Sequence, residues 1–240
     1  MEPLARKNRY VIYRDFLSNQ EQLDLANEAL VCHERSHKAP HHHQLSSTAV
    51  STDWSSLKEA TASSKLNLGI PCGSSLEPIL PLAVKVSRQL FSRACHDAPS
   101  SSSILSDLAK DDSILTGLAL LYGPKATMSP HYDSPTQPGQ QQEWLCMMTM
   151  GANIHFILDD VTVTMRSGDC LVMDSMAVRH GVEGIGVEEH HPLVSRVLPI
   201  QGARLGILVW QGRVFHHDKG GANQPEEAQV EGMSMLFGDE

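Results

Sequence analysis

The sequence predicts an α+β protein in which a β-sandwich or jelly-roll core follows a mainly helical N-terminal half. Two observations predict this order. In the first half of the chain, apolar residues recur with the spacing of amphipathic helices. From residue 113 onward, the chain changes to short, closely spaced β-rich runs separated by turn-forming residues. Short strands that follow a helical half favour packed sheets with helices on the outside.

The first elements are a strand and a capped helix. Residues 10–16 contain Tyr, Val and Ile in a loose alternation that favours a strand. Ser18 and Glu21 have the spacing of a capping box, in which each side chain satisfies a free backbone amide at the start of a helix. One face of this helix would carry Leu23, Ala26 and Leu30.

A long polar segment separates this helix from a second one. Residues 34–67 are rich in Ser, Thr and His and are expected to be irregular, with a short helix near 56–63. The second helix is predicted from Pro78 or Pro81 to Cys95, since proline is tolerated in a first helical turn. Its apolar stripe consists of Ile79, Leu82, Val86 and Leu90. A Pro/Ser linker is expected at 98–103.

Six strands are predicted in the second half, in runs bounded by turn residues such as those at 151–153, 159–160 and 167–169. The predicted strands are 114–122, 145–150, 153–158, 161–165, 170–173 and 204–210. Three regions follow from these elements. Residues 1–112 would pack an N-terminal strand, helices and a lid-like segment on the core, 113–214 would form the jelly-roll core, and 215–240 a polar tail.

Composition restricts the class of protein. The 240 residues are 41% hydrophobic, which is enough for one sizeable core. We expect no membrane segment, because no apolar run approaches the roughly 18 residues that span a bilayer. The five cysteines are odd in number and have no close pairing, and the first residues lack a secretory pattern. Both observations favour an intracellular location, in the cytoplasm or nucleus. The formal charge of −9 argues against binding nucleic acid by bulk electrostatics alone.

Three residues have the pattern of a metal centre. His131 and Asp133 are two positions apart, so on an extended segment both side chains point to the same face. His180 follows after several strand-like runs and can return as a third ligand. Two histidines and one carboxylate, with open positions left on the metal, are typical of non-heme Fe(II) oxygenases. The open positions matter because a 2-oxo acid and O2 must bind the iron together.

A second His-x-Asp occurs at His216 and Asp218, with His217 between them. It follows the last predicted strand and has no later histidine as a partner. We therefore expect these three residues to be dispensable for metal binding.

At the level of motifs, the chain resembles the AlkB family of Fe(II)- and 2-oxoglutarate-dependent dioxygenases. The resemblance runs over four segments, 121–133, 148–156, 167–182 and 204–211. It implies a double-stranded β-helix (jelly-roll) core with flanking helices. It also implies iron at His131, Asp133 and His180, with 2-oxoglutarate as the co-substrate that is decarboxylated to succinate.

Two further residues are candidates for binding 2-oxoglutarate. Arg204 opens an alternating strand, and its guanidinium can hold the distal carboxylate through two parallel hydrogen bonds. Tyr122, nine residues before His131, could donate another hydrogen bond to the same group. Arg196 is a rival carboxylate ligand because it is nearer to His180, although its surroundings resemble a strand less clearly.

The chain also departs from the family pattern at three positions. Leu120 stands where the family commonly has Asn, and Gly206 and Trp210 stand where it has Asn and a second Arg. By resemblance, the family's side chains at these positions help to hold 2-oxoglutarate and touch the substrate region. The departures leave the strength of co-substrate binding open.

The sequence thus predicts an oxidoreductase that hydroxylates a C–H bond. By resemblance, the reaction would be oxidative demethylation of a methylated nucleobase in DNA or RNA, with methylated nucleic acid as the partner. A protein side chain or small metabolite is an alternative substrate, which the acidic composition favours. A catalytically silent jelly-roll binding protein that retains the metal site is the alternative from another class, favoured by Leu120 and Trp210.

Overall fold

A computed structural model of the chain describes residues 6–7, 9–38, 65–68, 75–97, 103–110, 113–134, 142–185, 194, 197–198 and 200–211. The helices in this part of the chain are α1 (Asn19–Lys38), α2 (Pro81–Asp97) and α3 (Ser103–Leu108). The strands are β1 (Arg6–Lys7), β2 (Tyr10–Tyr13), β3 (Lys65–Asn67), β4 (Leu115–Tyr122), β5 (Met128–His131), β6 (Trp144–Gly151), β7 (Ile154–Leu158), β8 (Val161–Met165), β9 (Cys170–Asp174), β10 (His180–Ile185) and β11 (Arg204–Gln211). The predicted α+β class is confirmed.

The strands form two antiparallel sheets. The larger sheet has the order β1-β2-β9-β6-β11-β4-β3, and the smaller one has the order β5-β10-β7-β8. From β4 to β11 the chain passes repeatedly between the two sheets, which is the course of a double-stranded β-helix. The predicted jelly-roll core is therefore confirmed.

The larger sheet is buried on both faces. One face packs against the helices, and the other faces the smaller sheet. Strand β6 illustrates this, because it is buried at every position. Met148 belongs to the cluster with α1 and α2, whereas its neighbour Met147 belongs to the cluster with Phe156 and Val182 of the smaller sheet. Burial of both faces explains why β6 shows no alternation and is apolar at every position except Thr149.

Several elements differ from the sequence prediction. Helix α1 continues through residues expected to be irregular, and β3 pairs with β4 at the edge of the larger sheet. Helix α3 begins at the end of the predicted Pro/Ser linker. Strands β5 and β10 were not predicted, since Pro130 and two glycines at Gly181 and Gly184 lower their β-propensity. The short helix predicted near 56–63 lies outside the described residues.

The capping box at the start of α1 is present. The Ser18 hydroxyl accepts a hydrogen bond from the Glu21 backbone amide, N···O 3.3 Å. In return, the Glu21 carboxylate accepts from the Ser18 backbone amide at 2.9 Å and from its hydroxyl at 2.7 Å. These reciprocal bonds satisfy backbone amides that a helix leaves free at its first turn.

Replacing Ser18 with Ala is expected to lower the free energy of unfolding by about 1 kcal/mol, because it removes the cap acceptor. Ser18→Gly is the matched control, with an expected cost of only a few tenths of a kcal/mol, about the usual difference for glycine caps. Chemical denaturation of the three proteins measures both effects. Equal stability of Ser18→Ala and the parent protein would contradict a stabilising role for this cap.

Candidate metal centre

Two neighbouring strands of the smaller sheet bring the predicted iron ligands together. His131 ends β5 and His180 begins β10, and the two residues are direct partners in the antiparallel pairing of these strands. Asp133 lies two residues beyond His131, where its backbone amide donates a hydrogen bond to the Ser175 carbonyl, N···O 3.1 Å. Strand pairing thus closes the long sequence separation between Asp133 and His180.

The three side chains present their ligand atoms to one point. The Oδ1 atom of Asp133 lies 3.5 Å from His131 Nε2 and 3.6 Å from His180 Nε2. All three potential ligand atoms lie within 4.8 Å of one another. A metal ion bonded to N and O at about 2.1 Å keeps adjacent ligand atoms about 3 Å apart, so a small inward movement would complete the coordination. The group fits a divalent first-row metal.

Backbone carbonyls orient both imidazoles. Nδ1 of His131 is 2.9 Å from the Ser129 carbonyl oxygen, and Nδ1 of His180 is 2.9 Å from that of Val178. Because a carbonyl oxygen can only accept, each Nδ1 must carry the proton and donate. Each neutral imidazole then presents the lone pair of Nε2 toward Asp133, as metal-binding histidines commonly do.

The surroundings of Asp133 and His180 favour the protonation states in which these side chains bind a metal. Burial raises the pKa of Asp133, but the contact with His131 Nε2 and the proximity of His180 outweigh it and hold the pKa below its usual value. Burial lowers the pKa of His180, although Asp133 opposes this. A carboxylate and a neutral imidazole are the states that bind a metal.

The centre is buried on one side and open on the other. The side chain of His180 is 4% exposed, whereas those of His131 and Asp133 are 30% and 23% exposed. Phe156 lies nearly parallel to the His180 ring, with 6.4 Å between ring centroids. His131 and Asp133 therefore lie on the solvent-facing side of the centre.

Arg204 is buried and has no acidic partner among the described residues. It begins β11, directly opposite Tyr122 of β4, and is 1% exposed. Its Nη2 contacts the Met147 sulfur at 3.6 Å, while Nε and Nη1 have no hydrogen-bond partner among the described residues. Burial lowers the pKa of Arg204 to about 10, so the side chain is still a cation at neutral pH. A buried cation without an anion is costly, which indicates a site for an acidic ligand.

Tyr122 lies beside Arg204, and the two residues together form a candidate anchor for an acidic ligand. The ring centroid of Tyr122 lies 5.4 Å from Cζ of Arg204, within the range of a cation–π contact. Burial raises the pKa of Tyr122, against a smaller opposite effect of Arg204, so the phenol stays protonated. The hydroxyl lies 3.9 Å from the Met128 sulfur, a weak acceptor that leaves it available to a better one.

Strand β5 connects the anchor with the metal ligands. Met128, beside the Tyr122 hydroxyl, begins this strand, and His131 ends it. Three steps of extended chain cover about 10 Å. Tyr122 and the metal-ligand group therefore lie at opposite ends of the same short strand.

Two of the three departures from the AlkB pattern, Leu120 and Gly206, lie close to Tyr122 and Arg204. Leu120 and Gly206 are partners in the β4–β11 pairing. A Cβ atom added to Gly206 would lie 3.6 Å from Arg204 Nη2, so any side chain there would contact the guanidinium. Leu120 and Trp210 belong to the apolar cluster around Tyr122. These apolar side chains form a wall around Tyr122, and Arg204 is the charged residue beside it.

Met128 and Met147 were not among the predicted site residues. Met147 lies in an unbroken apolar run, where inward and outward positions look alike in sequence. Met128 lies in a strand that the sequence did not predict. The pairing of β6 with β11 reveals the role of Met147, since it places this residue on the face that carries Arg204.

Two predicted groups lie outside the described residues. They are the rival Arg196 and the C-terminal group of His216, His217 and Asp218. Their expected roles stay predictions. Within the part of the chain that the structure describes, no helix is both long and apolar enough to cross a bilayer.

Comparison with solved structures shows the fold. The AlkB homologue OsALKBH1 matches with a TM-score of 0.50 and 16% sequence identity, over 88% of this chain and 100% of that one. HygX from Streptomyces hygroscopicus, with nickel and 2-oxoglutarate bound, matches with a TM-score of 0.43 and 9% identity, over 86% and 83% of the two chains. A Pseudomonas putida prolyl-4-hydroxylase matches with a TM-score of 0.41 and 14% identity, over 85% and 92%.

By sequence alone, no protein-family model and no curated protein matches the chain. The structural likeness to OsALKBH1 and the two facing antiparallel sheets together show the fold. The chain therefore has a double-stranded β-helix fold similar to that of this AlkB homologue.

Proposed function

We propose that this protein is an Fe(II)- and 2-oxoglutarate-dependent dioxygenase that hydroxylates a C–H bond. The observation that carries the proposal is the buried Arg204, which lacks an acidic partner among the described residues and lies on the inner face that leads to the metal ligands. A compact dicarboxylic acid could bind Arg204 with one carboxylate and reach His131, Asp133 and His180 with its other end.

Each part of the chain has a definite task in this proposal. His131, Asp133 and His180 would hold iron on one side and leave its other positions open. Arg204 and Tyr122 would orient 2-oxoglutarate through its distal carboxylate. Bound iron would supply the oxidative chemistry that converts 2-oxoglutarate to succinate and hydroxylates the substrate. The apolar wall around Tyr122 would exclude water from the co-substrate.

The finer part of the proposal concerns the substrate, which we propose to be an N-methylated nucleobase in DNA or RNA. The likeness in fold to an AlkB homologue supports it. The open side of the centre at His131 and Asp133 would admit a single flipped or unpaired base. Hydroxylation of an N-methyl group gives an unstable product that releases formaldehyde.

A second candidate is a catalytically silent binding protein. Leu120 and Trp210 favour it, because Leu120 offers no hydrogen bond to 2-oxoglutarate and Trp210 lacks the charge of an arginine. Such a protein would bind metal and an acid at the same residues without turnover.

Succinate and formaldehyde release separate these candidates. The Fe(II)-loaded protein is incubated with 2-oxoglutarate, O2 and single-stranded DNA or RNA oligonucleotides that carry N-methylated bases. We expect methylated oligonucleotides to stimulate succinate release and to yield formaldehyde, relative to unmethylated oligonucleotides of the same sequence. Succinate without formaldehyde would leave a dioxygenase with another substrate. No succinate from protein that has bound both metal and 2-oxoglutarate would contradict enzymatic function.

A further inference from the structure

Both polar groups of the proposed co-substrate anchor contact a methionine sulfur. Arg204 Nη2 lies 3.6 Å from Met147 Sδ, and the Tyr122 hydroxyl lies 3.9 Å from Met128 Sδ. A thioether is a weak hydrogen-bond acceptor, so these contacts leave the donors available to a carboxylate. That availability depends on the oxidation state of the sulfur, since a sulfoxide oxygen is a far better acceptor.

We propose that Met147 is a site of oxidative modification by peroxide and that its sulfoxide closes the anchor to 2-oxoglutarate; this inference rests on the proposed function. One oxygen atom passes from hydrogen peroxide to the sulfur. The O–O bond breaks, an S–O bond forms, the sulfur loses two electrons, and the peroxide is reduced to water. The methionine gains one oxygen atom, and no other reactant is required.

The position of Met147 explains why this modification would act on binding. Its sulfur already contacts the guanidinium, so an added oxygen would lie within hydrogen-bonding range of Arg204. It would accept the hydrogen bonds that the carboxylate needs and would also occupy part of its space. Reduction of the sulfoxide would restore the thioether, so the modification is reversible in principle.

The neighbouring residue provides an internal comparison. Met147 is buried, but its sulfur contacts the guanidinium of Arg204, so a peroxide that enters the proposed 2-oxoglutarate site would meet it. Met148 is 0% exposed and belongs to the cluster against the helices. The proposal therefore predicts oxidation at Met147 without oxidation at Met148.

The first experiment treats the protein with hydrogen peroxide after Zn(II) has replaced Fe(II), because Zn(II) has no redox chemistry. Catalase then removes the peroxide, peptide mass spectrometry locates the added oxygen, and calorimetry measures 2-oxoglutarate binding. We expect an oxygen on Met147 and a loss of affinity of about ten-fold or more. Saturating 2-oxoglutarate during treatment should protect Met147.

Two variants of similar size test the same idea without peroxide. Met147→Gln places a strong acceptor oxygen beside Arg204, whereas Met147→Leu places none. We expect Met147→Gln to bind 2-oxoglutarate at least about ten-fold more weakly than Met147→Leu. After peroxide treatment, Met147→Leu should keep the affinity that it had before treatment. Circular dichroism and thermal denaturation establish that both variants are folded.

The outcomes distinguish this inference from the proposed function. If untreated Zn(II) protein does not bind 2-oxoglutarate, the proposed function fails and the inference fails with it. If untreated protein binds 2-oxoglutarate and protein fully oxidised at Met147 binds it equally well, only the inference is overturned. The inference is likewise overturned if Met147 stays unmodified while the half-buried Met128 is oxidised, or if Gln and Leu at position 147 bind 2-oxoglutarate alike.

Discussion

Replacing Arg204 with Ala is expected to weaken 2-oxoglutarate binding by at least about ten-fold, while metal affinity in the absence of 2-oxoglutarate stays nearly unchanged. The variant loses charge-assisted hydrogen bonds that contribute about 1.5–3 kcal/mol. Compensation is small because Leu120, Gly206 and Trp210 offer no second cation near the anchor. Titration of 2-oxoglutarate and of metal against the two proteins measures both effects.

Three further variants make this result specific. Arg204→Met keeps most of the side-chain volume and removes a buried charge, so its melting temperature without ligand should equal or exceed that of the parent protein. Added 2-oxoglutarate should raise the melting temperature of the parent but not of this variant. Tyr122→Phe should show a smaller loss than Arg204→Ala, because it removes one hydrogen bond from a neutral donor to the carboxylate, whereas Arg204→Ala removes a cation and its hydrogen bonds. A large effect of Arg196→Ala, with none at Arg204, would mean that the sequence-based rival is the carboxylate ligand.

Replacing His180 with Ala is expected to abolish specific metal binding and all oxidative turnover while the fold survives. A change in the groups that merely orient a metal ligand commonly costs about 10–100-fold in metal affinity, so loss of a direct ligand should cost more. Metal content after dialysis against a weak chelator, together with Mn(II) titration, measures the effect. Near-parental metal content or activity would show that His180 is not a ligand.

His155→Ala is the matched control. His155 lies on β7, the strand next to β10, but its side chain is exposed and contacts Thr164 Oγ1 at 3.3 Å. This variant should retain metal. Loss of metal from both variants would point to a general disturbance of the smaller sheet instead of a missing ligand.

The site could be predicted only where the spacing of its residues in the sequence marks it. A His-x-Asp pair on an extended segment requires only the period of a strand, so His131 and Asp133 were visible. Their meeting with His180 is a matter of strand pairing between β5 and β10. Neither strand was predicted, because Pro130 and the glycines of β10 favour other structures. Proline is accepted in β5 because that strand lies at the edge of its sheet.

The bounds of a strand were predictable where turn residues mark its ends. Strand β8 is exposed along most of its length and was predicted with its observed bounds, since turn residues enclose it on both sides. The face of each buried strand was not predictable. In β4 and β6 every position is buried, so no alternation marks the residues that look into the site. The role of Met147 could therefore be read only from its distance to Arg204.

The place of β11 in the larger sheet has a consequence for synthesis of the protein. This strand is the last one described, yet it lies between β6 and β4 near the middle of the sheet. While the nascent chain still lacks β11, both neighbouring strands present open edges and apolar faces, which are prone to aggregation. The ribosome must extrude the chain through Gln211 before the gap is filled. We expect translation products that stop before β11 to depend on chaperones, and folding to be slow because its decisive contacts are long-range.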